Sequence, residues 1–180
     1  MTPPPRRAGR ADLTGITDVF LACWHGPYAA VLPRRLTDAM TRDRATALWT
    51  GVLAEAAPGE VLVQPAPDGT ILGVTRWAGP EDGVGVVHSL YVAPDAQGRG
   101  AGGGLLTAAT AALSAAGAGT ATLWVFRDNT PSVGFYQHRG WRPDGGRRVQ
   151  EEFGEPEIRL VLALTPAARP PRPGPAGWAT

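Results

Sequence analysis

The amino-acid sequence predicts a single domain of the α/β (α+β) class, in which helices and strands share one core. At 180 residues the chain has the length of one domain. Its apolar residues follow a helical period up to residue 58 and an extended pattern from residue 61 to residue 92. A glycine-rich loop, residues 97–104, comes after the last of these strands and leads into another helix.

Two helices are predicted before residue 60. The first is capped by Asp12 or Thr14 and stopped by Gly26-Pro27, and the second ends at Pro58-Gly59, because glycine and proline end helices. The apolar residues fall on one face of each helix: Ile16, Val19, Phe20, Cys23 and Trp24 in the first, and Ala45, Leu48, Trp49, Val52 and Leu53 in the second. These faces are predicted to be buried.

Strands and helices alternate in the rest of the chain. Residues 61–63 and 71–77 flank Pro67-Asp68-Gly69, a turn sequence, and are predicted to form a hairpin, which is followed by a strand over residues 84–92. The later predicted elements are a helix over residues 103–116 ended by Gly117 and Gly119, a strand over residues 120–126, a helix opened by Thr130-Pro131 and ended by Gly140, and a half-buried strand over residues 157–164.

Both ends of the chain are predicted to be disordered. Residues 1–10 are rich in proline and arginine, and the prolines of residues 166–180 prevent both a continuing helix and a central strand. The folded domain is therefore expected to extend from residue 11 to residue 165.

Composition limits the expected partners and compartment. The formal net charge is +1 and the basic residues are scattered, so we expect neither a nucleic-acid nor a membrane partner. The start of the chain lacks the apolar run of a signal peptide, Cys23 is the single cysteine, and no run of about 18 apolar residues occurs. We therefore expect a cytoplasmic protein. Arginine in place of lysine, with abundant alanine, glycine and proline, indicates a GC-rich, bacterial genome.

The glycine-rich loop is suited to hold an anion. Glycine lets successive backbone N–H groups converge, and the following helix adds its positive N-terminal end, so a diphosphate is the natural ligand. A P-loop is excluded because that motif needs a lysine and the chain has none. Gly98, Gly100 and Gly103 fit the Rossmann pattern G-x-G-x-x-G, although residues 94–97 separate the strand from the first glycine. That fingerprint and a simple connecting turn remain as alternatives.

Two motifs resemble those of one family. Gln97-Gly-Arg-Gly-Ala-Gly102 resembles the Q/R-x-x-G-x-G/A loop of the GNAT superfamily of N-acetyltransferases, and as in that family it follows a strand that ends in Val-x-Pro. Residues 123–141 are similar to a later motif of the family, in which a strand, an asparagine, a helix, Phe-Tyr and Gly-aromatic occur in that order. The order of elements resembles the family from about residue 11 to residue 164, including two N-terminal helices and a closing hairpin.

The resemblance implies a mixed, mostly antiparallel central sheet, flanked by helices and splayed between the strands that end at Val92 and Phe126. Acetyl-CoA is expected in this splay as the co-substrate. Its pantetheine arm is expected to pair with the first of these strands and its pyrophosphate to bind the loop. The implied cofactor-binding residues are Leu90, Tyr91, Val92, Gln97, Gly98, Arg99, Gly100, Ala101, Gly102 and Asn129.

The resemblance also implies catalytic roles. Backbone N–H groups near Val92 are expected to face the thioester oxygen. The Tyr136 hydroxyl, whose ordinary pKa is near that of a thiol, is expected to protonate the departing thiolate. His88, which strand alternation places on the face of Val92, is expected to act as base or water relay, with Glu81 and Asp82 as alternatives. A structural role remains open for both Tyr136 and His88.

The implied reaction is direct transfer of acetyl to a primary amine of a small molecule or peptide, without a covalent enzyme intermediate, by a monomer or homodimer. A non-catalytic acyl-CoA-binding or sensing module and an O- or longer-chain acyltransferase remain as alternatives. In the family, the acceptor pocket is shaped by the region that holds Trp24, His25, Tyr28 and Trp49, although the apolar stripes predict that both tryptophans pack in the core. No residue pattern has metal-ligand spacing, so no metal is assigned.

Overall fold

A seven-stranded mixed sheet flanked by helices forms the domain in a computed structural model, which describes residues 3–165. The strands are β1 (Arg6–Arg7), β2 (Val61–Pro65), β3 (Ile71–Glu81), β4 (Val84–Val92), β5 (Thr120–Phe126), β6 (Arg142–Val149) and β7 (Pro156–Ala163). The helices are α1 (Leu13–His25), α2 (Arg34–Ala39), α3 (Arg42–Glu55), α4 (Ala101–Ala115) and α5 (Thr130–Gln137). The strand order is β1-β2-β3-β4-β5-β7-β6, and only the β4–β5 pair is parallel. The expected mixed, mostly antiparallel sheet is confirmed.

Residues 3–10 do not form the disordered tail that the sequence predicts for residues 1–10, and residues 1 and 2 lie outside the described residues. Strand β1 pairs with β2 and forms the edge of the sheet, where the prolines that precede it, residues 3–5, need not donate hydrogen bonds. The Arg6 guanidinium donates to both carboxylate oxygens of Asp12, at 2.7 and 2.9 Å, and the Pro3 carbonyl accepts from the Gln64 side chain at 2.6 Å. Residues 3–10 are therefore part of the domain. The tail predicted over residues 166–180 lies outside the described residues.

Two helix ends differ from the sequence-based expectation. Helix α4 begins at Ala101, two residues before the predicted start. Helix α5 is capped by Asn129, whose Oδ1 accepts a hydrogen bond from the Ser132 N–H at 3.2 Å, so Thr130 is the first helical residue and is not the cap. Asparagine is the stronger N-cap residue of the two, which accounts for the shift.

The sheet separates two hydrophobic clusters. Helices α1 and α3 contribute to the first cluster, which includes Trp24 and Trp49, as their apolar stripes predict. Helices α4 and α5 contribute to the second. Leu48 is 46% exposed, so its assignment to the buried face of the second predicted helix is wrong. None of the helices in the described part of the chain has both the length and the apolar character needed to span a membrane.

The sheet opens between β4 and β5. These strands pair only over residues 84–87 and 120–123, and beyond that point β4 keeps a partner only on its β3 side. The Ala93 N–H donates to a carbonyl of β3 at 2.9 Å. In an antiparallel ladder the backbone groups of successive residues point alternately toward the partner strand and away from it. The N–H and C=O groups of Leu90 and Val92 therefore point away from β3, toward the opening. The expected splay is confirmed.

Candidate active site

A cavity of about 420 Å³ lies between strand β4, the glycine-rich loop and helix α5. On the loop side its wall is mostly backbone, since the residues there are glycines. Six of the predicted cofactor-binding residues line it: Leu90, Val92, Gln97, Gly98, Gly100 and Gly102. The fold thus brings the end of β4 and the loop to the same cavity.

The backbone of the loop presents N–H donors to this cavity. Gly98 and Gly100 have φ values of +73° and +91°, in the left-handed region that favours glycine. Gly100 is the N-cap of α4 and makes no side-chain cap, and the Gly104 N–H donates to the Gly100 carbonyl at 2.9 Å. The N–H groups of residues 101–103 precede that bond and have no partner within the helix. Together with the positive end of the helix they suit an anion.

Arg139 adds a cation to the same cavity, and sequence reasoning missed it. Its guanidinium carbon lies 3.9 Å from the centroid of the Phe135 ring, and its Nη1 donates to the Phe135 carbonyl at 3.0 Å. A Cβ atom on Gly103 would lie 3.0 Å from its Nη2, so the guanidinium also borders the loop. The spacing of four residues from Phe135, at the end of a helix, is the sequence signal for this pair.

The carbonyl at the end of β4 is already engaged. The Gln97 Nε2 donates to the Val92 carbonyl at 3.0 Å, and the Cys23 Sγ donates to it at 3.1 Å. Burial raises the pKa of the Cys23 thiol to about 11, so the thiol keeps its proton near neutral pH. The Gln97 side chain therefore fastens the loop to β4, and a ligand in the opening is left with the Val92 N–H and the backbone of Leu90.

Four predicted cofactor-binding residues do not line this cavity: Tyr91, Arg99, Ala101 and Asn129. The Tyr91 ring packs edge-on against Phe20, with centroids 5.1 Å apart, because it lies on the opposite face of β4. Ala101 is buried in the first turn of α4, and Asn129 is buried while it caps α5. The sequence motif does not distinguish a residue that shapes the loop from a residue that lines the cavity.

A second cavity, of about 440 Å³, lies on the other side of the opening. Its walls include the aromatic residues Tyr91, Trp124, Phe126 and Phe153. Of the residues predicted near an acceptor or as bases, Trp24, Tyr28 and His88 line it, whereas His25, Trp49, Glu81 and Asp82 do not. The two cavities share Leu90, Ser132 and Tyr136 in their walls.

Tyr136 stands where the two cavities meet. It is buried, and its ring packs edge-on against Phe135 and Trp141, with centroids 5.1 and 6.1 Å away. Burial, together with the nearby Tyr28, raises the pKa of its phenol, because the ionised form is poorly solvated there. Among residues 3–165 its hydroxyl has no protein hydrogen-bond partner, so it is available to a molecule in either cavity.

His88 lies at a β-bulge, which the sequence pattern does not predict. Arg76 pairs with Ser89 and Trp77 with Val87, so His88 is the extra residue. Val87 and Leu90 contact the same cluster although strict alternation would separate them, so alternation along β4 does not by itself fix the face of His88. Its side chain is exposed at the second cavity. Partial burial and the charge of Arg76 lower its pKa, which keeps the imidazole neutral and able to accept a proton.

Glu157 is a buried carboxylate in the wall of the second cavity, and the sequence does not reveal it. Strand alternation predicts Glu157 on the less buried face of β7. The structure buries it beside β6, where Arg148 Nε and Gln150 Nε2 donate to its Oε2 at 2.6 and 2.8 Å. Within the described part of the chain, no three His, Cys, Asp or Glu side chains gather in a way that could hold a metal ion.

Comparisons with known proteins agree with this arrangement. A family model described as "Acetyltransferase (GNAT) family" matches residues 15–141. An N-acetyltransferase from Staphylococcus aureus Mu50 has a similar fold, with a TM-score of 0.67, 19% identity and coverage of 89% of this chain and 98% of that chain. The PaiA N-acetyltransferase from Thermoplasma acidophilum in complex with coenzyme A gives a TM-score of 0.68 at 17% identity, with coverage of 86% and 96%.

A third similar structure is yncA from Salmonella typhimurium with its cofactor acetyl-CoA, at a TM-score of 0.64 and 21% identity, with coverage of 93% of this chain and 97% of that chain. At such identities these structures establish the likeness of the fold. No curated protein sequence matches the chain significantly.

Proposed function

This chain belongs to the acetyltransferase (GNAT) family, and from that premise we propose that it transfers acetyl from acetyl-CoA to a primary amine by direct attack in a ternary complex. The amine belongs to a small molecule or a peptide. One observation carries the proposal: the cavity beside the glycine-rich loop and the aromatic cavity meet at Leu90, Ser132 and Tyr136. A thioester held at this junction is reached by the acceptor from the other side, which aligns the two reactants for one step.

The first cavity is the proposed site of acetyl-CoA. The free N–H groups of residues 101–103 bind the pyrophosphate at the positive end of α4, and Arg139, which borders the loop, balances phosphate charge. The pantetheine arm pairs with the open edge of β4 through the Val92 N–H and the Leu90 carbonyl. Similar folds with bound coenzyme A and acetyl-CoA support acetyl-CoA as the co-substrate.

The reaction needs a neutral amine, a donor for the oxyanion and an acid for sulfur. The amine nitrogen attacks the thioester carbon, and the Leu90 N–H, which points into the opening where the two cavities meet, stabilises the oxyanion, an effect of about 10²- to 10³-fold per donor. As the C–S bond breaks, the Tyr136 hydroxyl gives its proton to sulfur. The amine loses a proton to His88, directly or through water, and the Tyr136 phenolate regains a proton from solvent.

The environment of Tyr136 suits this role. Because burial raises the pKa of the phenol, its proton is present before the reaction begins. The same burial makes a departing thiolate more basic, since an anion there is poorly solvated. Burial therefore raises the proton affinity of the phenolate and of the thiolate together, so the balance between them changes less than the raised pKa of the phenol alone implies.

The experiment that tests the proposal is a screen of acceptors by release of free CoA, with aminoglycosides, polyamines, amino acids and peptide N-termini compared. Release with an amine, together with an acetylated product in the mass spectrum, supports the proposal. Tight binding of acetyl-CoA without release for any amine identifies a non-catalytic binding module. Release only with hydroxyl acceptors, or only with longer acyl donors, identifies the other acyltransferases.

A further inference from the structure

The second cavity combines a buried carboxylate with a wall of four aromatic rings, and we infer that its acceptor carries a cationic group besides the amine that is acetylated. This inference rests on the proposed function and names a substrate class for it: diamines and other amines with a second positive charge. Glu157 and the four rings bind the second charge, while the reacting nitrogen lies near Tyr136.

The carboxylate of Glu157 has an unused acceptor. Its side chain is 7% exposed, and both donors that reach it, Arg148 Nε and Gln150 Nε2, bond to Oε2. Among residues 3–165 no donor reaches Oε1, and the residue lines the cavity. Oε1 is therefore open to a molecule in the cavity, and a carboxylate oxygen there favours a ligand that donates a hydrogen bond and carries positive charge.

Beside this carboxylate, each of four aromatic rings packs against two of the others, and all four line the cavity. The ring-centroid distances are 6.0 Å for Trp24–Tyr28, 6.1 Å for Tyr28–Phe126, 5.5 Å for Phe126–Phe153 and 6.2 Å for Phe153–Trp24. Phe126 is the direct β5 partner of Glu157 on β7, which places the carboxylate next to the rings. Aromatic faces attract cations, so the rings and the carboxylate select the same kind of group.

The basic groups around the cavity weaken its attraction for a cation but do not abolish it. Arg148 is paired with Glu157, its guanidinium lies 4.3 Å from the centroid of Trp124, and its side chain is 39% exposed. Partial burial and Arg76 lower the pKa of His88, which leaves it uncharged near neutral pH. The cation is therefore held by one carboxylate oxygen and by ring faces, and we expect a preference of about 10-fold, the worth of one charged hydrogen bond.

A second charge is inferred because a carboxylate does not suit the reacting nitrogen. An anion stabilises the protonated form of a neighbouring amine, and the protonated form has no lone pair for attack. The reacting amine must be neutral at the junction of the cavities. Glu157 therefore serves a group that stays protonated throughout the reaction.

The test compares diamines with monoamines of the same carbon length, putrescine with butylamine and cadaverine with pentylamine. Binding to the protein in the presence of CoA is measured by calorimetry, so that no turnover is needed. We expect at least one diamine to bind about 10-fold more tightly than its monoamine. Glu157→Gln, which keeps the shape of the side chain, should abolish this preference. The matched control is Glu152→Gln, which removes an exposed charge from the same β6–β7 connection and should keep the preference.

Phe153→Leu, which removes one ring and leaves the carboxylate, should reduce the preference and decides the matter if Glu157→Gln does not fold. The inference is overturned if diamines and monoamines bind alike, or if the preference survives both substitutions. Equal losses for diamine and monoamine in Glu157→Gln would overturn it too, since they indicate a role at the reacting nitrogen. A diamine preference in binding without release of CoA from acetyl-CoA refutes the proposed function instead, so the two failures are distinguishable.

Discussion

The replacement Tyr136→Phe removes one oxygen from the junction of the two cavities and leaves the packed ring in place. Its contacts with Phe135 and Trp141 involve the ring, and no protein hydrogen bond within residues 3–165 is lost. The free energy of unfolding should therefore change by less than about 1 kcal/mol. If the phenol protonates the departing thiolate, turnover should fall by about 10²- to 10⁴-fold, the usual contribution of one positioned acid. The KM for acetyl-CoA should change much less.

Single-turnover release of CoA, measured with the best acceptor, tests this without interference from product release. An acetyl donor whose thiol has a lower pKa should recover part of the lost rate, because its thiolate needs less protonation. The matched control is Tyr91→Phe, which removes a hydroxyl from a ring that lines only the second cavity and should lower the rate far less. Near-normal single-turnover rates in Tyr136→Phe, or a loss that is the same for every leaving thiol, would refute the reasoning.

Three other predictions follow from the structure. His88→Ala should lower kcat/KM by about 10²-fold near neutral pH, where the imidazole is neutral and the amine is mostly protonated, and the loss should shrink below the lowered pKa of His88; a pH profile parallel to that of the unchanged protein would assign His88 a structural role. Gly103→Ala should stabilise α4 by up to about 1 kcal/mol yet weaken acetyl-CoA binding about 10-fold by crowding Arg139. Gly134→Ala, whose methyl group meets nothing within 4 Å, should stabilise α5 and leave calorimetric binding intact, and equal affinity in both variants would contradict the cavity assignment. Burial raises the phenol pKa of Tyr28, Tyr91 and Tyr136. Above pH ~10 the unfolded chain therefore binds fewer protons than the folded protein, and the free energy of unfolding should fall as pH rises. A melting temperature that stays level in this pH range would contradict this.

The elements that are defined by residues adjacent in the sequence were predictable. Strands β4 and β5 begin and end at the predicted residues, because alternating apolar residues between glycine and proline define a strand locally. The first cavity was largely predictable too, since a glycine loop before a helix presents N–H donors in any surroundings. Arg139 belongs to the same cavity and escaped prediction, because its place depends on how the end of α5 packs against the start of α4.

The sequence by itself determined the class of the fold, the loop that suits a diphosphate, and the tyrosine that follows Phe135 in α5, because each rests on a short run of residues. Only the tertiary structure decided which groups share the acceptor cavity. A bulge against β3 interrupts the alternation of β4 at His88, and β6 buries Glu157 by supplying Arg148. Strand β6 has no apolar alternation of its own, so no local pattern reports it. Side chains far apart in the chain meet there through strand pairing, and pairing depends on the register between strands rather than on the period within one.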